Sequence, residues 1–178
     1  DVVGIGVESD GSNTMANSAG FEITMNSGFV AGDYVMLGHN VATNNSNVAD
    51  IAGISGLEVR WERVWYVDVT DPGSDIDVDV VFDFSDAGLT AVAPGDAANY
   101  LLMYRAGTSG NWSEVATATS VAGDRVTFSG VSFDDGDGSY TIGSTNASSS
   151  PLPIELVFFN AAAMDNTSVE LNWETASE

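Results

Sequence analysis

Apolar and polar residues alternate in short runs along most of this chain, with a period of two. In residues 76–84 every second position is apolar, and aspartates fill most of the positions between them. Runs of this kind are rich in Val, Thr, Tyr, Phe and Trp and are bounded by Gly, Asp, Asn and Ser, which is typical of β-strands. The predicted strands in the first part of the chain are 2–7, 21–26, 34–38, 57–69, 76–84, 99–105, 113–119, 125–129 and 140–143.

No long stretch shows the 3.6-residue apolar period of an amphipathic helix. Many short strands without helices predict an all-β fold, either a β-sandwich or a jelly roll. The chain has 178 residues, of which 44% are hydrophobic, and this is enough for one real core plus an appendage. We therefore predict a single β-sandwich domain over residues 1–143.

The longest predicted strand, 57–69, carries two tryptophans on one face. Trp61, Arg63, Trp65 and Val67 share that face, because side chains alternate between the two sides of a strand. Aromatic residues at this spacing usually belong to a core, and the alternative is a platform that stacks on sugars. An arginine among them must be paired or must stack on the rings.

The composition changes at residue 144. Residues 144–153, STNASSSPLP, are small and polar and then contain two prolines, which predicts a linker. Two further strands are predicted at 154–161 and 168–173, joined by a turn around residues 164–166. Residues 154–178 are thus predicted to be a two-strand tail that extends from the sandwich.

The predicted tail has more large apolar side chains than a hairpin can bury by itself, since two strands alone are marginally stable in water. We expect these side chains to contact a neighbouring subunit by strand addition or by packing. The predicted interface residues are Ile154, Leu156, Phe158, Phe159, Val169, Leu171 and Trp173.

The charge balance excludes several classes of partner. The chain has 26 acidic and 4 basic residues, a formal charge of −22, and this surface repels nucleic acid. No apolar run approaches the ~20 residues that span a bilayer, so no membrane insertion is expected. An acidic surface attracts cations and opposes self-association unless apolar contacts offset the repulsion.

The sequence favours a protein that is not an enzyme. There is no Cys, and His39, the one histidine, is expected at a strand end where it bonds to backbone. Metal binding is the main alternative chemistry: Asp134, Asp135 and Asp137 lie among glycines and could supply oxygen ligands to calcium. A solvated turn is the competing interpretation. A second acidic cluster, at 71–79, is interpreted as the wet face of a strand.

Four short sequences match the N-x-[ST] acceptor pattern for glycosylation, which also arises by chance in a chain rich in Asn and Ser. The candidate asparagines are Asn44, Asn111, Asn146 and Asn166.

The tail, PLPIELVFFNAAAMDNTSVELNWETASE, resembles a segment of Bacteroidetes-type surface proteins exported by type IX secretion. In that family a PLP-[IV]-EL…F.A…V.L.W.TASE pattern opens an immunoglobulin- or fibronectin-like module. The pieces DVVGIGVESDGSN, DYVMLGHN, LEVRWERVWYVDVT, NYLLMYRAGTSGNW and VTFSGVSFDDGDGSYTIG resemble an uncharacterised β-rich domain of the same proteins. One departure is that the module beginning at Pro151 has only about two strands, where a full one needs roughly 80 to 100 residues.

The resemblance implies a secreted protein, extracellular or at the cell surface, with an adhesive or fibrous role. Together with the tail, it predicts a structural subunit of a filament or surface assembly, in which copies of the chain join head to tail. The alternative is a carbohydrate-binding or adhesin module of a larger secreted surface protein, with glycans as partners. A removed signal segment is expected before Asp1.

Overall fold

The structure, a computed structural model, describes residues 2–6, 15–28, 33–40, 46–70, 76–88, 95–133, 137–152, 156–164 and 168–175. These residues form an all-β protein in which the only helical element is one short 3₁₀ turn, Ala97–Asn99. Within the described part of the chain, no helix has the length and apolar character needed to cross a lipid bilayer.

Fifteen strands are found among the described residues. They are β1 (Val2–Gly6), β2 (Met15–Ser18), β3 (Phe21–Ser27), β4 (Tyr34–His39), β5 (Ser46–Asn47), β6 (Val59–Trp61), β7 (Trp65–Thr70), β8 (Asp77–Asp83), β9 (Tyr100–Arg105), β10 (Ser113–Thr117), β11 (Ser120–Ala122), β12 (Arg125–Ser132), β13 (Gly138–Ser144), β14 (Leu156–Ala163) and β15 (Val169–Thr175).

The strands form three antiparallel sheets. In the larger sheet, β1, β4, β7 and β13 follow one another, β13 pairs with β9 along its other edge, and β10 completes that side. The β6–β5 pair joins β13 beyond the end of β7. The second sheet has the order β11-β12-β8-β3-β2, and β14 and β15 form a separate two-stranded sheet.

The predicted β-sandwich is confirmed by the core, which joins the inner faces of the two larger sheets. From the second sheet, Phe21, Phe82 and Phe128 are completely buried. They meet Trp61 and Trp65 from the larger sheet in a chain of ring contacts, such as Phe21–Trp65 at 5.5 Å and Trp65–Phe82 at 5.3 Å between centroids. The alternation predicted for residues 76–84 is confirmed as well, since all five apolar positions are buried.

The predicted continuous strand 57–69 is wrong, because the chain leaves the sheet between β6 and β7. Asn40 holds the interruption from one side: its backbone N–H donates to the Val64 carbonyl, and its side-chain oxygen accepts from the Val64 N–H at 3.0 Å. The Thr141 hydroxyl bonds to the carbonyls of Trp61 and Arg63 at 3.0 and 2.9 Å from the other side. The break keeps both tryptophans in the core while satisfying the freed backbone groups.

Residues 144–152 are packed on the sandwich, where the sequence predicted a linker. Ser144 ends β13, and its hydroxyl donates to the Ser150 carbonyl at 2.7 Å. Leu152 is buried in the main core, and the buried Tyr100 donates its hydroxyl to the Pro151 carbonyl at 3.0 Å. The prediction of a linker relied on the polar composition, but Ser144 and Ser150 form hydrogen bonds with backbone groups inside the packed fold. The packed region therefore runs through Leu152, and residues 153–155 lie outside the described residues.

Three strands were not predicted: β2, β5 and β11. They have two to four residues each and little apolar alternation. β2 and β11 are the outer strands of the second sheet, and β5 ends the larger sheet beside β6. Short polar strands at sheet edges limit unwanted pairing between chains, and they carry almost no periodic signal in the sequence.

Candidate functional site

The C-terminal hairpin is the first candidate. Its strands β14 and β15 pair with each other in antiparallel register and with no other strand in the described part of the chain. The Met164 N–H donates to the Ser168 carbonyl at 3.1 Å at the hairpin's end. A two-stranded sheet of this kind is marginally stable alone. The hairpin is therefore a candidate for contact with another surface.

One face of the hairpin is apolar and exposed. Phe159 lies directly opposite Trp173, and Ala161 lies opposite Leu171, so these residues share a face. Phe159 is 59% exposed and Trp173 is 65% exposed, and Val169 on the same strand is exposed as well. On the opposite face, Asn160 pairs with Asn172 and Ala162 with Glu170, so the large apolar side chains that the structure describes lie on one side.

The structure describes four of the seven predicted interface side chains: Phe159, Val169, Leu171 and Trp173, all of them exposed. Leu156 and Phe158 belong to β14, but their side chains lie outside the described residues, as does Ile154 altogether. The exposed face of the hairpin is therefore defined by the four described side chains and Ala161.

A second apolar surface lies on the outer side of the larger sheet. It consists of Tyr34, Met36 and Gly38 on β4 and Tyr66 on β7, and we call it the β4–β7 patch. Gly38 pairs with Tyr66 in register, and Gly4 of β1 pairs with Met36. Gly38 and its neighbours line a depression of about 330 Å³. The sequence did contain a signal for this patch, because β4 is apolar on both faces.

Two polar residues border the depression: His39 and Asp68. The His39 ring nitrogen Nδ1 lies 2.7 Å from the Asn40 carbonyl oxygen, which confirms the predicted contact of this histidine with backbone. Asp68 pairs with Met36 in register and is exposed. The patch thus combines exposed aromatic surface with one carboxylate and one imidazole.

Trp61 and Trp65, the tryptophans for which a sugar platform was the alternative, are buried in the core, as predicted. Tyr100 and Trp112 are buried as well, and Tyr104 is partly buried. Arg63 donates to the Ala87 carbonyl at 2.8 Å, and burial lowers the pKa of its guanidinium.

Trp112 belongs to a smaller core beside Leu101 and Met103, and two arginines flank its ring. The guanidinium carbon of Arg105 is 4.2 Å from the ring centroid and that of Arg60 is 5.4 Å away. Burial, and then the Arg105 charge, lower the pKa of Arg60. These cation–π contacts give both arginines a structural role.

The predicted calcium ligands are only partly described. Asp134 and Asp135 lie outside the described residues. One carboxylate oxygen of Asp137 accepts a hydrogen bond from the Val69 N–H at 2.7 Å, and its backbone carbonyl accepts from the Tyr104 hydroxyl at 2.9 Å. Asp137 therefore ties β13 to its neighbours, and calcium binding here stays a prediction.

The acidic cluster at 71–79 is described only at Asp77 and Asp79. Both carboxylates accept hydrogen bonds from the Asn26 amide, at 2.8 and 3.0 Å, and Asp79 also accepts from the Gly130 N–H at 2.9 Å. These bonds cross β3, β8 and β12, so the two aspartates have a structural role on the outer face of the second sheet.

A third acidic cluster was not predicted. Glu22, Asp83 and Asp86 bring one carboxylate oxygen each to within 4.8 Å of one another. Arg125 forms ion pairs with Glu22 and, at 2.6 Å, with Asp83, and the hydrogen bond from Arg125 to Glu22 is the main cause of the raised pKa of Arg125. Glu22, Asp83 and Arg125 come from β3, β8 and β12, and Asp86 lies in the turn after β8, so only the sheet order could reveal the cluster.

Replacing Arg125 with Met should lower the free energy of unfolding by about 2 kcal/mol at neutral pH, because Asp83 would be a buried charge without its cation. Urea denaturation of both proteins at pH 7 measures this. Arg125→Lys, which keeps the charge, should lose less, and equal losses for Arg125→Met and Arg125→Lys would contradict the prediction.

The candidate glycosylation sites differ in their surroundings. Asn111 is exposed beside the buried Trp112. Asn146 is partly buried, and its side-chain oxygen accepts from the Ser149 N–H at 3.0 Å. Asn44 and Asn166 lie outside the described residues.

Comparisons of this chain with family models, with curated proteins and with solved structures found no match.

Proposed function

We propose that this chain is a structural subunit of an extracellular filament or surface assembly, and that its C-terminal hairpin docks on a neighbouring copy. The observation that carries this proposal is the exposed apolar face of β14 and β15, which form a sheet apart from the sandwich. Phe159, Leu171 and Trp173 gain from burial, and each large apolar side chain contributes about 1.5–3 kcal/mol when fully buried.

The net charge of the chain restricts which surfaces of two copies can come into contact. The chain has a formal charge of −22, so two copies repel each other over most of their surfaces. The described apolar face of the hairpin carries no charged residue, and Glu170 is on its other side. Contact through this face therefore adds little repulsion, and moderate salt should strengthen assembly by screening the remaining charges.

The resemblance of the tail to type IX-exported surface proteins supports secretion and a cell-surface location as parts of this proposal. A protein that functions outside the cell can rely on a core of this size without disulfides.

The test is to compare the full chain with a variant that ends at Leu152. The shorter protein keeps the sandwich and its buried terminal segment, so it should melt at nearly the same temperature but remain monomeric. Light scattering after gel filtration and negative-stain images over a range of protein concentrations measure this. Equal assembly by both proteins, or no assembly by the full chain, would exclude docking through the hairpin.

The second candidate function is carbohydrate binding, as in an adhesin module. The β4–β7 patch favours it, because an exposed tyrosine beside a carboxylate and an imidazole is suited to stack on a sugar and bond to its hydroxyls. Glycan binding that is lost in Tyr66→Thr, by a protein that does not assemble, would favour this function over the first.

A further inference from the structure

We propose that the β4–β7 patch is the acceptor surface, on which the apolar hairpin face of a second copy of this chain docks. This inference rests on the proposed function and adds the acceptor to it. The occupant is the face formed by Phe159, Ala161, Leu171 and Trp173.

The distribution of exposed apolar side chains supports this pairing. Among the described residues, five of the exposed large hydrophobic side chains belong to the hairpin, and three belong to the β4–β7 patch. The other two, Val48 and Val115, lie outside both surfaces. Both apolar surfaces are thus exposed in the single chain, so the hairpin face of one molecule can cover the β4–β7 patch of another.

The shapes of the two surfaces are complementary. Phe159 and Trp173 are directly opposite each other, so their rings form a ridge across the hairpin. Gly38 has no side chain, so the floor of the patch is low beside Met36 and Tyr66. An aromatic ridge fits a depression of about 330 Å³, and ring contacts with Tyr66 would add to the apolar burial.

The charges are compatible with a copy of the same chain. The patch has one carboxylate at its border, Asp68, and the described hairpin face has none. With Glu170 on the far side of the hairpin, it would point away from Asp68 in the docked arrangement. The chain has 26 acidic residues, so most surfaces of two copies repel each other. The hairpin face and the β4–β7 patch bring no carboxylates opposite one another, so these two surfaces can come into contact.

The expected contact area indicates a reversible interface. A buried aromatic side chain removes roughly 150–250 Å² from water, so the exposed parts of Phe159 and Trp173 supply roughly 200–300 Å². With the aliphatic side chains and an equal area on the acceptor, the total is roughly 1,000 Å², near the lower limit for specific interfaces. Assembly should therefore depend on protein concentration.

The two surfaces are different parts of the chain, so the contact is heterologous. Each copy can donate one hairpin and accept another, and repetition of such a contact produces an open filament or a ring. Docking of one hairpin on another hairpin would instead stop at a dimer.

The experiment uses three full-length variants with strand-compatible substitutions. The donor variant is Trp173→Thr, the acceptor variant is Met36→Thr with Tyr66→Thr, and the surface control is Val115→Thr. Val115 and Met36 are both 38% exposed. Asn172→Thr, on the other face of β15, controls for the hairpin. Circular dichroism melting first shows that every variant is folded.

Sedimentation velocity should show self-association at least about tenfold weaker for the donor and acceptor variants than for wild type, and unchanged for both controls. A mixture of the donor and acceptor variants should form a one-to-one dimer that does not grow, because only one productive contact remains. That dimer is the result expected from a heterologous donor–acceptor pair.

The failures of the two proposals are distinguishable. If Trp173→Thr blocks assembly while the acceptor variant assembles like wild type, the patch is not the acceptor, although docking through the hairpin stands. If the acceptor variant instead loses only glycan binding, the patch is a sugar site and this inference is overturned. If neither variant changes assembly, or wild type does not associate, both proposals are wrong.

Discussion

A chain that ends at Gly143 should be far less stable than one that ends at Leu152, with a loss of about 5 kcal/mol or more, comparable to the whole stability of many domains. Leu152 is buried in the main core, and truncating a buried leucine alone costs about 2–5 kcal/mol. Removal of Ser144 also ends β13 early and deletes its register pairs with Tyr100 and Val59.

The polar contacts of the terminal segment add to this loss. Without Pro151, the hydroxyl of the buried Tyr100 loses its acceptor. Burial raises the pKa of the Tyr100 hydroxyl, so the hydroxyl stays protonated at neutral pH and still requires an acceptor. Ser150 closes the same region: its hydroxyl accepts from the Asp96 N–H at 3.0 Å and from the Asn99 amide at 2.9 Å.

Gly95 shows how closely the segment is packed. A side chain at Gly95 would collide with the Ser149 carbonyl, so the segment 145–152 approaches this backbone as closely as only glycine permits. Urea denaturation followed by circular dichroism measures the difference between the two truncated proteins. Equal midpoints would mean that residues 144–152 contribute nothing to the fold, contrary to their burial.

The alternation of apolar residues was sufficient to predict most of the sandwich. Along β8 and its flanking residues, Ile76 and every second residue after it face the core, because one face of an antiparallel strand is buried and the other is exposed to solvent. Asp83 was predicted on the solvent-exposed face of β8, but it is buried and forms an ion pair with Arg125 of β12. Arg125 is 42 positions away in the sequence, and a local pattern of apolar and polar residues does not reveal a pair so far apart.

The two largest differences from prediction have a common cause. At residues 62–64 and 144–152, polar side chains bond to backbone groups that regular pairing leaves free. Asn40 and Thr141 do this for the first segment, and Ser144 and Ser150 do it for the second. A serine-rich segment that serves the fold and one that serves as a linker have the same composition, so the sequence alone cannot separate them.

The candidate site was predictable in part. The apolar character of the tail follows directly from Phe159, Leu171 and Trp173, because no pattern within two strands could bury them. The β4–β7 patch was not predicted, since Tyr34, Met36 and Tyr66 come from strands whose adjacency depends on the sheet order. The two surfaces share one sequence signal, which is a strand (β4 or β14) with apolar residues at consecutive positions and therefore on both faces.

Replacing Trp65 with Ala should be the most destabilising single substitution tested, with a loss of about 3–5 kcal/mol. Trp65 is completely buried, and its ring contacts Phe21, Phe82 and, edge to face at 5.2 Å, Trp61. Alanine would leave a cavity between the two sheets that rigid neighbours cannot fill. It would also remove the indole N–H that donates to the Ser18 carbonyl at 2.7 Å, so a buried hydrogen bond would be lost.

The chain supplies a matched control in Trp173, which undergoes the same chemical change at a 65% exposed position. Trp173→Ala should change the free energy of unfolding of the sandwich by no more than about 0.5 kcal/mol, because exposed positions outside the core contribute little. Trp65→Phe should fall between the two, since it keeps most of the ring and loses only the hydrogen bond. Urea denaturation at low protein concentration, where association is absent, gives the three values. Comparable losses for Trp65→Ala and Trp173→Ala would mean that the hairpin is part of the same cooperative core, and the separation of the tail from the sandwich would then be wrong.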